Sequence, residues 1–149
     1  MPWLLKIART PHLGQFLIRR FNAFAGLTPT LGAAEPSRVS AVAKRGFLLP
    51  YDSWEDRIAT YRFVADIPLD ESHPSYSTLT EVEENLEKLK ELPTLLLWGE
   101  QDWVFTTHFM TRFQDFFPQA KAISYPDCGH LLIEEKPGRV ISEIEAFFS

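Results

Sequence analysis

The stretch Leu95–Phe105, which reads LLLWGEQDWVF, decides the fold that this sequence predicts. It begins with a short apolar run, breaks at Gly99 and carries Asp102 just past the break. A run of this length that ends at a turn residue is typical of a buried parallel strand. Because α/β proteins build their sites at the carboxyl ends of such strands, Asp102 is a candidate functional residue. Glu100 lies beside it in the sequence and is the competing acid.

The same pattern recurs in residues 121–125, which are followed by the segment Pro126–His130. A helix is expected between the two strands, over residues 106–117, where a proline ends it. A last helix is expected over residues 137–148, with Pro137 in its first turn. The β-α-β-α order predicts two parallel strands that are joined by a right-handed crossover.

The residues before Leu92-Pro93 are of a different kind, because they contain helices and loops but no convincing strand. Apolar residues at spacings of three and four predict a helix over residues 2–25, with Pro11 suited to a first turn. Further helices are predicted over residues 36–45, after an N-cap at Ser53 with Asp56 as its capping-box partner, and over residues 78–91. The boundary at Leu92-Pro93 therefore divides the chain into residues 1–92 and residues 93–149.

The composition is that of a folded protein. Apolar residues make up 45% of the 149 residues and aromatic residues 13%, which favours a packed core over disorder. The single cysteine excludes an internal disulfide and a cysteine-based zinc site. The histidines show no metal-ligand spacing, so no metal or other cofactor is expected. No apolar run approaches the length of a transmembrane helix, so a membrane protein is not expected. A cytoplasmic location is expected instead.

The formal net charge of −5 is unevenly distributed along the chain. Residues 1–34 contain Lys6, Arg9, Arg19 and Arg20 but no acidic residue. Such a start occurs in transit peptides and membrane-surface helices, but an ordinary amphipathic helix with solvated arginines is the simpler interpretation. The acidic balance of the whole chain and the lack of a nucleic-acid motif argue against binding to nucleic acid.

Asp102 and His130 are expected to lie close together, because each follows one of two parallel strands about 4.8 Å apart. A carboxylate in this position can accept the Nδ1–H of an imidazole, fix its tautomer and stabilise the imidazolium that forms when Nε2 takes a proton. Gly99 and Gly129 are expected to allow the sharp turns that both loops need. An aspartate or a histidine alone would be weak evidence for a catalytic site, but the pair in this order predicts a catalytic acid and base.

Two neighbouring groups have simpler interpretations. Cys128 could be a thiol nucleophile, but no flanking base is apparent, so a small buried thiol is expected. The pair Glu134-Glu135 is expected at a helix entry or on the surface.

These residues resemble the C-terminal half of an α/β-hydrolase, in which an acid and then a histidine follow the last two strands. Three stretches are similar to the haloalkane dehalogenase and epoxide hydrolase branch: Leu95–Asp102, Phe117–Ala120 and Cys128–Leu131. A closer resemblance is to the β-lactone decarboxylases of bacterial long-chain olefin synthesis. The matching stretches are Asn22–Phe24, Pro50–Trp54, Arg57-Ile58, Arg62–Val64 and Asp66–Leu69.

The resemblance implies an α/β fold with a helical cap over residues 1–92 and the last two strands of the hydrolase core over residues 93–149. In that family an aspartate attacks the substrate carbon and forms an ester, the histidine activates the water that hydrolyses it, and an acid orients the histidine. Carried over, Asp102 is the orienting acid and His130 the base. The implied substrate is a hydrophobic small molecule, and an alkyl halide, an epoxide, an ester and a β-lactone all remain open. The candidate substrate-binding residues are Phe24, Trp54 and Phe63 in the cap and Trp103 and Phe105 beneath it.

The nucleophile of the family has no counterpart here, because neither Gly-x-Ser-x-Gly nor Gly-x-Asp-x-Gly occurs in the 149 residues. We therefore expect a C-terminal fragment that is inactive alone: a truncated gene model, an internal start or one piece of a split enzyme. Strand 94–98 would then have an unpaired apolar edge, which favours association with another chain.

Three functions follow from these patterns. In the first, the chain is part of a hydrolase, and Asp102 and His130 must lie within hydrogen-bonding distance. In the second, it is a non-catalytic fragment or interaction module that pairs through strand 94–98 with a missing N-terminal half or with a second copy, which a monodisperse monomer would contradict. In the third, the basic first helix binds membranes. Liposome binding that charge reversal at Arg19 and Arg20 leaves unchanged would contradict the electrostatic part of that third function.

Overall fold

The computed structural model describes residues 3–10 and 12–149. A helical region over residues 3–10 and 12–92 precedes two strands that are each followed by helix. Its α-helices are α1 (Trp3–Arg9), α2 (Leu13–Phe21), α3 (Ala23–Leu31), α4 (Ala41–Leu48), α5 (Ile58–Ala65) and α6 (Tyr76–Asn85). Short 3₁₀ helices cover Pro36–Arg38, Leu49–Tyr51 and Leu86–Leu89.

The start of the chain forms three helices, so the prediction of one helix over residues 2–25 is wrong. The break between α2 and α3 lies at Asn22, whose φ of 52° is in the left-handed region that asparagine tolerates. Its side-chain Nδ2 donates to the carbonyl of Tyr51 at 2.8 Å. A contact with a distant residue therefore holds the break in place. Pro2 and Pro11, which the sequence placed in this helix, lie outside the described residues.

Helix α3 continues through Gly26 and Pro29, where the sequence predicted a helix end and a loop. The proline removes one backbone hydrogen bond from α3. However, Ala25 and Pro29 are both buried. Packing therefore favours a helix that the local sequence does not.

Two arginines of the basic start bind other parts of the helical region. Arg9 Nη1 donates to the carbonyls of Val64, at 3.0 Å, and Ile67. The guanidinium of Arg19 lies 4.2 Å from the centre of the Trp54 ring, and its Nε donates to the Trp54 carbonyl. These contacts connect α1 and α2 to the chain around α5. No helix in the described ranges is long and apolar enough to cross a lipid bilayer.

The N-cap predicted at Ser53 is wrong, because the residue before α5 is Arg57 and no side chain caps that helix. Ser53 Oγ accepts the backbone N–H of Asp56 at 3.1 Å and donates to Asp56 Oδ2 at 2.6 Å. Residues 54–57 nevertheless form turns, and α5 begins only at Ile58. Arg57 explains the irregular connection, because its guanidinium donates to three backbone carbonyls there: those of Arg19, Tyr51 and Asp52.

Strands β1 (Leu95–Gly99) and β2 (Lys121–Tyr125) pair in parallel, as the sequence predicts. Helix α7 (Thr107–Phe116) connects them, and α9 (Pro137–Phe148) follows β2. A four-residue helix, α8 (Leu132–Glu135), lies between β2 and α9 and was not predicted. The core of this part consists of Leu97, Ile123, Tyr125, Cys128, Leu132 and Val140.

The outer edge of β1 has no strand beside it in the part of the chain that the structure describes, because the sheet contains β1 and β2 alone. Large apolar side chains are also exposed on both parts of the chain, among them Val42, Phe63, Leu92, Ile133 and Phe148. Open strand edges and broad apolar surfaces are usually covered by other parts of a protein or by a partner.

Candidate active site

The turn after β1 is bonded to the loop after β2. The backbone N–H of Glu100 donates to the carbonyl of Tyr125 at 3.0 Å, and that of Gln101 donates to the carbonyl of Cys128 at 2.9 Å. These bonds keep the two loops side by side at the carboxyl edge of the sheet. Asp102 is therefore delivered to the same place as the loop that follows β2.

The carboxylate of Asp102 is buried, and both of its oxygens are hydrogen-bonded. Its Oδ1 accepts the backbone N–H groups of Val104 at 2.8 Å and Phe105 at 2.9 Å. Its Oδ2 lies 2.8 Å from Nδ1 of His130. Asp102 is 8% exposed, whereas a third of the His130 side chain is exposed. The structure thus brings together the two residues that the sequence paired.

The geometry sets the proton positions of the imidazole. An ionised carboxylate can only accept hydrogen bonds, so Nδ1 of His130 must be the donor to Asp102. Nε2 of the neutral ring is then unprotonated and can accept a proton. The backbone of the same residue is also held, since the N–H of His130 donates to the carbonyl of Gly32 at 2.7 Å.

The pKa of Asp102 is lowered from its ordinary value. Burial by itself would raise this pKa, but the hydrogen bonds from His130, Phe105 and Val104 and the attraction of the imidazole together outweigh burial. Asp102 is therefore ionised at neutral pH, as an acid that orients a histidine must be.

This lowered pKa predicts that Asp102→Asn removes part of the acid sensitivity of folding. Asp102 contributes fully to the free energy of unfolding above its ordinary pKa of 3.8, and this contribution is lost as the pH falls through the lower pKa of the folded state. The variant has no carboxylate to titrate. The difference in urea midpoint between wild type and variant should therefore shrink between about pH 5 and pH 2.5. A difference that stays constant over this range would contradict the prediction.

The structure also places the two alternatives. Glu100, the competing acid, accepts a hydrogen bond from Ser124 Oγ and has no contact with His130 among the described hydrogen bonds. Cys128 is fully buried, and burial, together with the nearby Glu135 and Asp127 carboxylates, raises the pKa of its thiol. A buried thiol with a raised pKa is a poor nucleophile, since the thiolate is the reactive form.

Gly99 and Gly129 allow the close approach of backbone segments at the two turns, and neither has a positive φ. A Cβ on Gly99 would lie 2.2 Å from the carbonyl oxygen of Gly129. A Cβ on Gly129 would lie 2.6 Å from the carbonyl oxygen of Gly32 and 2.7 Å from the backbone N of Ala34. Three backbone segments thus meet at this point without side chains between them.

Glu135 is the residue that sequence reasoning missed. It is 6% exposed, so the prediction of a surface position is wrong for this residue. Its Oε2 accepts the N–H of Gly129 at 2.7 Å, and its Oε1 accepts the N–H of Glu35 at 2.9 Å. No local pattern indicates this role, because one of its partners lies 100 residues away along the chain.

The five predicted substrate-binding aromatic residues fall into separate places. The Phe105 ring lies 5.5 Å from the His130 ring between centroids. Trp103 donates from Nε1 to the carbonyl of Leu31 at 2.6 Å, which joins the acid loop to the end of α3. Phe24 and Phe63 contact each other edge to face at 6.3 Å. Trp54 is stacked on Arg19.

A cavity of about 440 Å³ adjoins His130. Its apolar walls come from α4, β1, the residues after His130 and α9: Phe47, Leu97, Leu131, Ile133, Val140 and Ile144. None of the five predicted aromatic residues lines it. Within the described ranges, no cluster of three or more His, Cys, Asp or Glu side chains could hold a metal ion.

Residues 24–137 match the sequence model of the alpha/beta hydrolase fold family. The chain belongs to the α/β-hydrolase family. Its β-α-β-α unit with two parallel strands is accordingly part of that fold.

Two curated relatives are similar to this chain in sequence, and both are named cis-3-alkyl-4-alkyloxetan-2-one decarboxylase. The protein of Shewanella oneidensis is 35% identical over 149 residues, which are 100% of this chain and 46% of the relative. The protein of Xanthomonas campestris pv. campestris is 35% identical over 147 residues, which are 99% of this chain and 48% of the relative. The resemblance to β-lactone decarboxylases is thereby confirmed, and the chain spans about half the length of the curated relatives it matches.

Solved structures of haloalkane dehalogenases share the fold of this chain. The DbeA-M1 loop variant from Bradyrhizobium elkanii superposes with a TM-score of 0.84 and 20% identity, covering 97% of this chain and 47% of the dehalogenase. DatA from Agrobacterium tumefaciens C58 superposes with a TM-score of 0.79 and 19% identity, covering 97% and 49%. At this level of identity the likeness establishes the fold alone.

Proposed function

We propose that this chain supplies the orienting acid, Asp102, and the base, His130, of an α/β-hydrolase active site. The observation that carries the proposal is the 2.8 Å contact between Asp102 Oδ2 and His130 Nδ1. The buried carboxylate is also held by two backbone N–H groups, so its orientation does not depend on the imidazole. A fixed carboxylate keeps the proton on Nδ1 and stabilises the imidazolium once Nε2 has taken a proton.

The proposed site needs a nucleophile from outside these 149 residues, because they contain no nucleophile elbow. In the proposed reaction a carboxylate on that segment attacks the substrate carbon, displaces the leaving group and forms an ester. With an alkyl halide, an epoxide or an ester as substrate, water then attacks the ester while His130 Nε2 accepts a proton from it, and Asp102 stabilises the resulting charge. With a β-lactone, the attack breaks the C–O bond of the ring and frees a carboxylate beside His130. That carboxylate leaves as carbon dioxide, the electrons of its C–C bond form the alkene, and the enzyme carboxylate is expelled. The chain alone should accordingly show no covalent catalysis.

The helical region is the proposed cap, and the substrate is proposed to be hydrophobic. Phe105 lies against His130, and the Trp103 bond to the carbonyl of Leu31 fixes the helical region above the acid loop. Phe24, Trp54 and Phe63 add aromatic surface further up in the cap. The names of the two curated relatives favour a β-lactone with two alkyl chains over an alkyl halide, an epoxide or an ester. Loss of carbon dioxide from such a ring breaks one C–O and one C–C bond and leaves an alkene.

A chimera tests this function. In it, the 149 residues of this chain replace the stretch of the Shewanella oneidensis decarboxylase that they match. We expect the chimera to release carbon dioxide from a cis-3-alkyl-4-alkyloxetan-2-one, and His130→Gln in the same chimera to abolish the release. A folded chimera that binds the lactone but is inactive, or one that His130→Gln leaves active, would contradict the proposal.

The open edge of β1 supports a second candidate function, pairing with another polypeptide. Backbone groups on that edge have no strand partner in the described part of the chain, and Leu97 of β1 lines the apolar cavity nearby. A second copy of this chain or a separate N-terminal half could add a strand there. Light scattering over a hundredfold range of protein concentration tests pairing with a second copy. Self-association predicts a dimer fraction that grows with concentration, and a monomer at all concentrations would contradict self-association.

A further inference from the structure

The buried carboxylate of Glu135 lies where the histidine loop, residues 128–131, meets the segment Gly32–Glu35 after α3. It accepts one backbone N–H from each side, from Gly129 at 2.7 Å and from Glu35 at 2.9 Å. Both bonds end on a side chain that is 6% exposed. A charge-assisted bond of this kind is about twice as strong as a neutral one, and burial protects it from competition by water.

The chemistry of this junction requires a carboxylate of this length. Both partners are donors, so both oxygens of the side chain must accept. Glutamine has the same shape, but it would turn its NH₂ group toward one of the two N–H groups, and that bond would be lost. Aspartate keeps the charge, but its oxygens lie one methylene further from the partners. The side chain of Glu35 does not compete for the site, because it accepts from Ser37 instead.

The same junction includes the backbone of His130. Its N–H donates to the carbonyl of Gly32 at 2.7 Å, and Gly32 lies directly after α3 and three residues before Glu35, whose N–H binds Glu135. The segment Gly32–Glu35 is therefore bonded to the histidine loop directly at Gly32 and through the Glu135 side chain at Glu35. The close approach of Gly129 to the backbone of Gly32 and Ala34 leaves no room for the loop to shift between them.

We propose that Glu135 is a positioning residue that holds the histidine loop against Gly32–Glu35 and so keeps Nδ1 of His130 on Asp102. The inference rests on the proposed function of that pair and extends it, since the orientation of the base then depends on the helical region as well as on the acid. Glu135 acts through the backbone on either side of it and does not touch the reacting atoms.

The tautomer of His130 in the whole 149-residue chain tests the proposal, and ring ¹⁵N chemical shifts report it at neutral pH. Wild type should show His130 protonated at Nδ1, with a low-field Nδ1–H resonance. His73 is an internal reference for the other tautomer, because its Nε2 faces the carbonyl of Ala65 and its Nδ1 accepts from Ser75. In Glu135→Gln we expect the Nδ1–H resonance of His130 to be lost and its ring shifts to move to those of a tautomer mixture.

Glu134→Gln is the matched control. It removes the same charge one residue away, in the same four-residue helix α8. The signals of His130 should stay as in wild type in this variant, and those of His73 in both variants. Unchanged His130 signals in folded Glu135→Gln would overturn the proposal, as would an equal loss in Glu134→Gln, which would indicate a charge effect alone.

Amide hydrogen exchange in the wild-type chain keeps the proposal testable if Glu135→Gln does not fold. The amides of Gly129, His130 and Glu35 should then show similar, strong protection, because one junction holds all three. A Glu35 amide that exchanges as fast as in an unfolded chain, beside a protected His130 amide, would overturn the proposal. A wild-type His130 that is not protonated at Nδ1 would instead contradict the proposed function, so the two failures are distinguishable.

Discussion

Asp102→Asn should lower the turnover of the chimera by about 10³–10⁴-fold, as expected for the loss of the acid that orients a catalytic histidine. The oxygen of the asparagine would stay on the N–H groups of Val104 and Phe105, which hold Oδ1 in wild type. Its NH₂ group would then face Nδ1 of His130, which lies 2.8 Å from Oδ2. Nδ1 would have to become an acceptor, and the proton would move to Nε2, so a donor instead of an acceptor would face the reacting groups.

The measurement is steady-state turnover of the purified chimera, with kcat and KM determined separately. The loss should fall on kcat, because the proposed role of Asp102 is to set the tautomer of the reacting imidazole and not to bind the substrate. Glu100→Gln is the matched control, since it neutralises a carboxylate in the same loop that binds Ser124 instead of the histidine. Turnover in that control should stay within a few-fold of the parent. Equal losses in the two variants would show that Asp102 has no special role.

Gly129→Ala should destabilise the chain by about 1–3 kcal/mol or more, the usual cost of an overpacked site. The added Cβ would lie 2.6 Å from the carbonyl oxygen of Gly32 and 2.7 Å from the backbone N of Ala34. Backbone atoms cannot turn aside as a flexible side chain can, so the histidine loop and the segment after α3 must move apart. The bonds of Glu135 to both segments should weaken at the same time.

Gly46→Ala provides the control for this substitution. Gly46 lies within α4, and a Cβ there would meet no atom within 4 Å. Replacing a glycine inside a helix by alanine should stabilise the chain by about 0.5–1 kcal/mol. Urea denaturation followed by circular dichroism measures both changes, and the two midpoints should move in opposite directions. A Gly129→Ala midpoint at or above that of wild type would contradict the packing that the structure shows.

The β-α-β-α part could be predicted from the sequence nearly residue by residue. Strands predicted over residues 94–98 and 121–125 are observed as β1 and β2, and the helices after them differ by at most a residue at each end. The signals for these elements are local: short apolar runs, turn residues that end them and a proline in a first helical turn. They can therefore be recognised in the sequence without knowledge of the fold. The four-residue α8 has too little sequence to produce such a signal.

The helical region was less predictable, because its breaks depend on contacts between distant residues. Asn22 interrupts the first predicted helix, and its side chain is bound to the carbonyl of Tyr51. Pro29 lies inside α3, where its burial outweighs a local preference for a loop. In both places tertiary packing overrides the local helix propensity, which differs between residue types by up to about 3 kcal/mol.

The sequence by itself determined the two parallel strands, the helices α7 and α9, the pairing of Asp102 with His130 and the resemblance to α/β-hydrolases that the family match confirms. Asp102 and His130 each follow the carboxyl end of a predicted strand. Two adjacent parallel strands place such residues at the same edge of the sheet, so their pairing could be predicted from the sequence. Only the tertiary structure decided that Glu100 binds Ser124 instead of His130, that the glycines serve close approach and that Glu135 is buried at the histidine loop. The physical reason is that burial and hydrogen-bond partners depend on which backbone segments meet, and Glu35 and Glu135 meet across 100 residues of chain.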